Sequence, residues 1–330
     1  MPPAPSPWLR ARARRAAGLA AALLAVACAS PPKPAAPPLP AGAFYWEATA
    51  PGGGALFLLG SVHIGDGRSL ELDRRVEAAW RRADALVVEF DPGAVSPLDA
   101  LDITDRHGLL PPEQTLHDVV SPETYEQLRV YLKQSGYPMQ AADRMRPWLL
   151  ARVVAQLEYQ AAGYDAENGV DAWFLRRAAG SKPVVELESM EEQTALFASL
   201  PDSLQEKLLR EILHGSGDFV AMTREILGAW ERGDEAQLGQ LVLGSRSDPE
   251  LADFYQRVFT ERNQRMSERL AALAADGRAR FVVVGTGHLI GPEGVPVLLA
   301  DRGFLVKRIV DARLRAKGAA GAARPAPPKP

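Results

Sequence analysis

The sequence predicts a mixed α/β fold, with a largely parallel central sheet made of two βαβ-like halves and a large helical insertion between them. The first observation is a continuous apolar run at 55–59, typical of a buried strand, which ends at a glycine and is followed by His63. The second is the same strand–Gly-x-x-His pattern at 281–288, which ends in His288. The third is the long segment between them, where apolar residues recur at helical spacing.

The first half begins with a predicted hairpin. Residues 44–49 and 55–62 have strand composition, and Pro51-Gly52-Gly53-Gly54 between them favours a tight reversal of the chain. A helix over 70–82 and a second buried strand over 85–90 follow. These elements predict a βαβ unit with parallel strand pairing.

The insertion contains repeated helix signals, such as a serine followed by proline or a Ser-x-x-Glu capping box. The predicted helices are 121–134, 146–162, 169–179, 190–199, 203–213, 218–231, 234–242 and a broken helix over 249–275. A short strand at 182–188 interrupts this series. The second half then repeats the first plan, with a strand at 281–284, a helix at 295–302 and a returning strand at 304–310.

The N-terminal residues have the composition of a secretory leader. Residues 1–27 combine a basic region with an apolar stretch that is too short to span a bilayer. Cys28 follows small residues as in a bacterial lipobox, where the cysteine is lipidated, although Ala25-Val26-Ala27 also fits ordinary cleavage. The proline-rich residues 28–42 predict a stiff tether. We therefore expect an exported protein, lipid-anchored in the bacterial cell envelope and facing the periplasm.

The folded domain is predicted over 43–311, and the tail at 312–330, rich in Ala, Gly, Pro and basic residues, is expected to be disordered. The formal charge of −3 includes four arginines in the leader, so the remainder carries −7. That balance excludes a nucleic-acid partner, which would require clustered Lys and Arg. The single cysteine leaves no intrachain disulfide to stabilise an exported fold.

Three side chains are candidates for chemistry at the carboxyl ends of the buried strands, where open α/β sheets bind ligands. They are His63, His288 and Glu89. An acid at the end of a buried strand is costly unless it is paired or binds a metal. Two imidazoles and a carboxylate are a common ligand set for divalent ions such as zinc, manganese or cobalt. The other histidines, at 107, 117 and 214, are expected to be solvated or to cap helices.

Several short motifs of this chain resemble those of the TraB/PrgY/GumN group, which is similar to the TIKI proteins of animals. They are Leu59–Gly65, Val87-Val88-Glu89, Gly169-Val170-Asp171, Leu187-Glu188 with Gln193, Glu261-Arg262-Asn263 with Met266, and Val284–Gly291. The resemblance implies an active site of His63, His288 and Glu89, supported by Arg262 and Asn263. It places Asp171 and Glu188 in a second tier of site residues. It also implies metal-dependent proteolysis with manganese or cobalt, as in the TIKI relatives.

The sequence thus predicts an exported metal-dependent hydrolase, possibly a peptidase, acting on a peptide or small molecule. In this interpretation Arg262 holds a substrate carboxylate or an oxyanion, and Asn263 orients a ligand or the attacking water. The alternative is a non-catalytic periplasmic binding module for haem, a metal or a peptide, and a structural lipoprotein that has lost activity ranks third. The mechanism requires the two Gly-x-x-His loops to emerge at the same sheet edge, with Glu89 beside them.

Overall fold

The computed structural model describes residues 38–214 and 216–309. The predicted signal peptide at 1–27, Cys28, most of the tether and the tail at 312–330 lie outside the described residues. The strands are β1 (Leu39–Ala41), β2 (Tyr45–Thr49), β3 (Ala55–Ser61), β4 (Leu70–Leu72), β5 (Ala85–Val88), β6 (Val184–Glu186), β7 (Ala279–Gly285) and β8 (Leu305–Arg308).

Helices occupy most of the remaining described chain. They are α1 (Arg74–Arg82), α2 (Pro97–Gly108), α3 (Leu116–Val119), α4 (Pro122–Ser135), α5 (Met139–Ala142), α6 (Pro147–Ala161), α7 (Val170–Ala178), α8 (Met190–Ala198), α9 (Asp202–His214), α10 (Ser216–Arg232), α11 (Glu235–Leu243), α12 (Ala252–Tyr255), α13 (Arg262–Ala274) and α14 (Val295–Asp301). A π-helical segment, Gln256–Glu261, joins α12 to α13. No helix in the described part of the chain combines the length and the apolar character that a membrane crossing requires.

The main sheet has six strands in the order β6-β5-β7-β3-β2-β8. The four strands β6, β5, β7 and β3 are mutually parallel, whereas β2 is antiparallel to both of its neighbours. The predicted mixed, largely parallel sheet with a helical insertion is confirmed, and so is the β2–β3 hairpin. Adjacent β3 and β7 are in register so that Ser61 lies opposite Gly285, which brings the two Gly-x-x-His loops to the same end of the sheet.

The predicted pairing within each βαβ half is wrong. β3 and β5 run in the same direction, but β7 lies between them and pairs with both. The returning strand β8 likewise does not pair with β7; it lies at the edge of the sheet beside β2. The apolar run of β7 is buried on both faces, which suits a central strand. In β8, by contrast, exposed Leu305 and Lys307 alternate with partly buried Val306 and Arg308, as suits an edge strand.

The chain around residue 70 also differs from the prediction of one continuous helix. Leu70–Leu72 is a short strand that pairs in parallel with β1. The helix begins only after Asp73, whose side chain accepts a hydrogen bond from the amide of Arg75 and so caps the first turn. The structure also contains α2, which was not predicted, although Ser96 and Pro97 supply a helix start signal.

Two hydrophobic cores stabilise the fold. The larger covers the sheet and centres on the rings of Trp80, Phe174 and Phe281, whose centroids lie 5.0–5.4 Å apart. The smaller lies in the insertion, among α3, α4, α5, α6 and α9, and includes the fully buried Leu128 and Leu132. The insertion therefore has packing of its own.

Candidate active site

The two Gly-x-x-His loops leave the sheet side by side because β3 and β7 are parallel neighbours. The hydroxyl of Thr286 donates to the carbonyl oxygen of Ser61 at 2.9 Å and joins the two loops. A side chain at Gly60 would clash with this arrangement, since an added Cβ would lie 2.6 Å from the Thr286 hydroxyl. The glycine that opens the first Gly-x-x-His loop thus permits a close contact between the two loops.

Glu89 follows β5, the neighbour of β7 on its other side, and its carboxylate lies between the two histidines. Its Oε1 accepts a hydrogen bond from the amide of Gly285 at 2.7 Å. The Nε2 atoms of His63 and His288 each lie 3.9 Å from this same oxygen. The structure therefore brings together the three residues that the sequence predicted, from positions as far apart as 225 residues.

His63 is held by Asp171, in the first turn of α7. Its Nδ1 lies 2.9 Å from Asp171 Oδ2, while the hydroxyl of Ser61 donates to the other carboxylate oxygen at 2.7 Å. Because a carboxylate only accepts, His63 Nδ1 carries the proton and Nε2 faces Glu89. The negative charge of Asp171 is the main reason that the pKa of His63 rises to about 9, although 60% of the side chain is exposed.

His288, like His63, is held through its Nδ1, in this case by the side-chain amide of Asn263. Its Nδ1 lies 2.6 Å from Asn263 Oδ1. The Asn263 amide nitrogen donates to the carbonyl oxygen of Glu293 at 2.8 Å, which fixes the orientation of the amide. His288 must then donate from Nδ1, which leaves the Nε2 lone pair directed toward Glu89. Burial lowers the pKa of His288 to about 4, so this imidazole is neutral at pH 7.

Arg262 connects two buried carboxylates beneath the histidines. Its Nη2 donates to Glu89 at 2.7 Å and to Glu188 at 2.6 Å, its Nε donates to both oxygens of Glu188 at 3.0 Å, and its Nη1 reaches the carbonyl oxygen of Val258 at 3.4 Å. Only 7% of Arg262 is exposed. The donors of Arg262 thus serve acceptors of the protein itself, and the expectation that Arg262 holds a substrate carboxylate or an oxyanion stays a prediction. The side chain of Asn263 also contacts a residue of the protein, because its Oδ1 orients the ring of His288.

The charge of Glu89 is maintained by its surroundings. Burial by itself raises the pKa of this carboxyl group, but the two imidazoles, Arg262 and the amide of Gly285 outweigh it and hold the pKa well below its usual range. Gln193 also donates to Glu188 and, at 3.4 Å, to Glu89. Glu89 is thus a fixed, buried anion between one exposed and one buried imidazole.

Similarity to known proteins covers the whole of this arrangement. Residues 44–308 match the TraB/PrgY/gumN family. The chain belongs to the TraB/PrgY/gumN family. It is 28% identical over 261 residues to the uncharacterised protein YbaP of Escherichia coli K12. This alignment covers 78% of this chain and 93% of YbaP. An uncharacterised protein of Treponema pallidum is 22% identical over 274 residues, covering 79% of this chain and 81% of that protein. No solved structure matches the chain.

The imidazoles of His63 and His288 and the carboxylate of Glu89 are ligand types that divalent ions accept. Both imidazoles are oriented with Nδ1 on a hydrogen-bond acceptor and Nε2 toward Glu89, as metal-binding histidines are, although at His63 a proton must first leave Nε2. Within 38–214 and 216–309, however, no group of three or more His, Cys, Asp or Glu residues has the spacing of a ready metal site. The two separations of 3.9 Å exceed the roughly 3.0–3.4 Å between neighbouring ligands with bonds of about 2.1 Å, so the side chains would have to move slightly closer together to bind an ion.

Other parts of the site carried weaker signals in the sequence. Gly285 is one: an added Cβ would lie 2.9 Å from His63 Nε2 and 3.2 Å from Glu89 Oε1, so only glycine leaves room for these groups. The π-helical segment Gln256–Glu261 is a second feature of the site that no sequence pattern predicts. The remaining histidines lie outside the site: His107 pairs with Glu191 at 2.7 Å, and His117 packs edge-on against Tyr125.

Proposed function

We propose that this TraB/PrgY/gumN protein is a metal-dependent hydrolase, with a peptide as the preferred class of substrate. One observation carries the proposal: the Nε2 atoms of His63 and His288 face the same oxygen of Glu89, while each Nδ1 is held by a hydrogen-bond acceptor. This is the arrangement of a carboxylate and two oriented imidazoles that divalent ions bind.

His63, His288 and Glu89 would hold the ion, most suitably manganese, cobalt or zinc. When bound, such an ion polarises a carbonyl group and activates water for attack near neutral pH. The protein's own residues prepare the site for it. Asp171 and Asn263 fix the imidazole rings, and Arg262 neutralises the buried Glu89 while Glu188 holds the guanidinium in place.

The exposure of the site supports a substrate that approaches from the His63 side. The side chain of His63 is 60% exposed, whereas that of His288 is 6% exposed. Below about pH 9, His63 of the metal-free protein is protonated, and that proton must be released before Nε2 can bind an ion. Metal binding is therefore expected to strengthen as the pH rises from 6 to 9.

Metal analysis of purified protein tests this function. We expect about one equivalent of manganese, cobalt or zinc in the wild type and a large loss in His63→Ala and His288→Ala. His117→Ala is the matched control, because that ring packs against Tyr125 away from the site. The loaded wild type should hydrolyse members of a peptide library, and a chelator should abolish the hydrolysis. Equal and negligible metal in all four proteins would overturn the proposal, and a visible absorption band on adding haem, without hydrolysis, would favour a binding module.

We also propose that the protein works in the cell envelope, anchored through a lipid on Cys28 and facing the periplasm. The support is the sequence of 1–28, which combines a basic region, a short apolar stretch and small residues before the cysteine. Fractionation of cells that express the wild type or Cys28→Ala tests this. Lipidation predicts that the substitution moves the protein from the membrane fraction to the soluble periplasmic fraction; an identical distribution of both proteins would contradict it.

A further inference from the structure

A second concave site lies in the helical insertion, apart from His63 and His288. It is a groove of about 640 Å³, within the roughly 300–1,000 Å³ that small-molecule sites occupy. One wall is a single face of α6, on which Trp148, Ala151, Arg152 and Ala155 follow one another at helical spacing. Faces of α8, α9 and α10 form the other walls.

The groove is open because small residues on α6 lie opposite large residues on α8 and α10. Ala151 and Ala155 leave space on α6, while Phe197 and Phe219 line the groove from α8 and α10. The indole of Trp148 stacks on Phe197 with ring centroids 5.9 Å apart and is fixed by a hydrogen bond from its Nε1 to the carbonyl oxygen of His107. This apolar surface is preformed and held by the packing of the insertion.

Arg152 supplies the permanently charged cation among the described residues that line the groove, and the imidazole of His214 belongs to the same lining. Arg152 is an exposed residue, and within 38–214 and 216–309 it makes no hydrogen bond or ion pair with another side chain; partial burial lowers the pKa of its guanidinium. A guanidinium beside an apolar groove, without a protein acceptor, is complementary to an anionic group on an apolar ligand. Glu211 also lines the groove, and its negative charge disfavours ligands with several anionic groups.

The lining favours an aliphatic chain over a peptide. The polar side chains of the described lining are Arg152, Glu211 and His214, and none is Ser, Thr, Asn or Gln; the helices that form the walls use their backbone groups within their own turns. A peptide backbone would therefore find few hydrogen-bond partners here, whereas an alkyl chain needs none. We propose that this groove binds a free long-chain fatty acid, with the chain against Trp148 and Phe197 and the carboxylate on Arg152.

Equilibrium titration of the purified protein with hexadecanoate, and separately with hexadecanol, tests the proposal. We expect one saturable site for hexadecanoate and an affinity about tenfold or more lower in Arg152→Gln, because the charged hydrogen bond is lost. Hexadecanol should bind the wild type and Arg152→Gln equally. Arg74→Gln, an exposed arginine of α1 outside the groove, should bind hexadecanoate as the wild type does.

Ala155→Trp fills the groove and should abolish binding of both ligands, with circular dichroism to establish that the variant is folded. His63→Ala should bind hexadecanoate normally, so that failure of the metal site and failure of this site are distinguishable. Absence of saturable hexadecanoate binding, or an unchanged affinity in Arg152→Gln, would overturn the proposal. A short apolar peptide that displaces hexadecanoate at equal concentration would also overturn it, in favour of a peptide site.

Discussion

His63 and His288 occupy equivalent Gly-x-x-His loops, yet their surroundings move their pKa values in opposite directions. Asp171 stabilises the charged form of His63 and raises its pKa to about 9, whereas burial disfavours the charged form of His288 and lowers its pKa to about 4. The ordinary pKa of a histidine side chain, from which both are shifted, is 6.5. The motif therefore places the two rings, and the neighbouring residues decide their protonation.

The two shifts predict how the stability of the metal-free protein depends on pH. Between 6.5 and about 9 the folded state binds a proton at His63 that the unfolded state has released, so stability falls as the pH rises. Between 6.5 and about 4 the unfolded state protonates at His288 first, so stability falls as the pH drops. Both histidines therefore favour the folded state most near pH 6.5. Asp171→Asn should remove the loss above pH 6.5, as measured by urea midpoints across pH and by NMR titration of His63; an unchanged His63 titration would contradict this.

Gly285→Ala tests the geometry of the site with a single methyl group. The added Cβ would lie 2.9 Å from His63 Nε2, so we expect the imidazole to move, with loss of metal binding and activity but little change in secondary structure. Gly239→Ala in α11 is the matched control, because nothing lies within 4 Å of its added Cβ. That control should leave metal content unchanged and stabilise the helix slightly, by about 0.5–1 kcal/mol. Full metal binding by Gly285→Ala would show that His63 is not where we place it.

Helix α13 supplies the site with two consecutive residues, Arg262 and Asn263, both of them buried. The preceding π-helical segment, Gln256–Glu261, ends where these residues begin. In it, Phe259 packs against His288 with centroids 5.4 Å apart, and Thr260 donates to the carboxylate of Glu293 at 2.8 Å. Single π-helical turns occur often at functional sites, where they redirect the side chains that follow.

Arg262→Met tests what this helix contributes. The substitution leaves Glu89 and Glu188 buried without their cation, so we expect a loss of about 3–5 kcal/mol in the free energy of unfolding, measured by urea denaturation. Arg265→Met, an exposed position on the same helix, should change stability by no more than about 0.5 kcal/mol. Adding Glu188→Gln to Arg262→Met should recover part of the loss, because one of the two unpaired charges is removed. Equal stability of Arg262→Met and the wild type would contradict the ion-pair network.

At the scale of the whole molecule, one hydrophobic core stabilises the sheet and the other stabilises the insertion. The sheet core lies beneath the strands whose ends carry His63, Glu89 and His288. The second core holds α3, α4, α5, α6 and α9 together, and α6 and α9 also form walls of the apolar groove. Damage to one core should therefore affect one site more than the other.

Leu128→Ala tests this division. Leu128 is fully buried in the second core, and its truncation should cost about 2–5 kcal/mol. We expect amide hydrogen exchange to accelerate in α4, α6 and α9 more than in β3 and β7, with the NMR titration of His63 unchanged. Hexadecanoate binding should weaken in parallel. Uniform acceleration across the sheet and the insertion would show that the two cores unfold as one unit.

The sequence predicted the local elements well because their signals are local. Apolar runs that end in glycine marked β3 and β7, and proline and serine start signals marked α4 and α8. It also predicted that His63, Glu89 and His288 meet, since parallel strands share their carboxyl ends. It gave the wrong strand neighbours, because β7 follows β5 by some 190 residues and no local pattern records which gap in the sheet it fills.

By itself the sequence determined which side chains stand at strand ends, and hence that two imidazoles and a carboxylate were available for one site. Only the tertiary structure decided what those groups can do. Asp171 reaches His63 across 108 residues, and Arg262 reaches Glu89 across 173. These contacts set the tautomers and charges of the site, and they arise from packing between distant elements, which spacing along the chain does not encode.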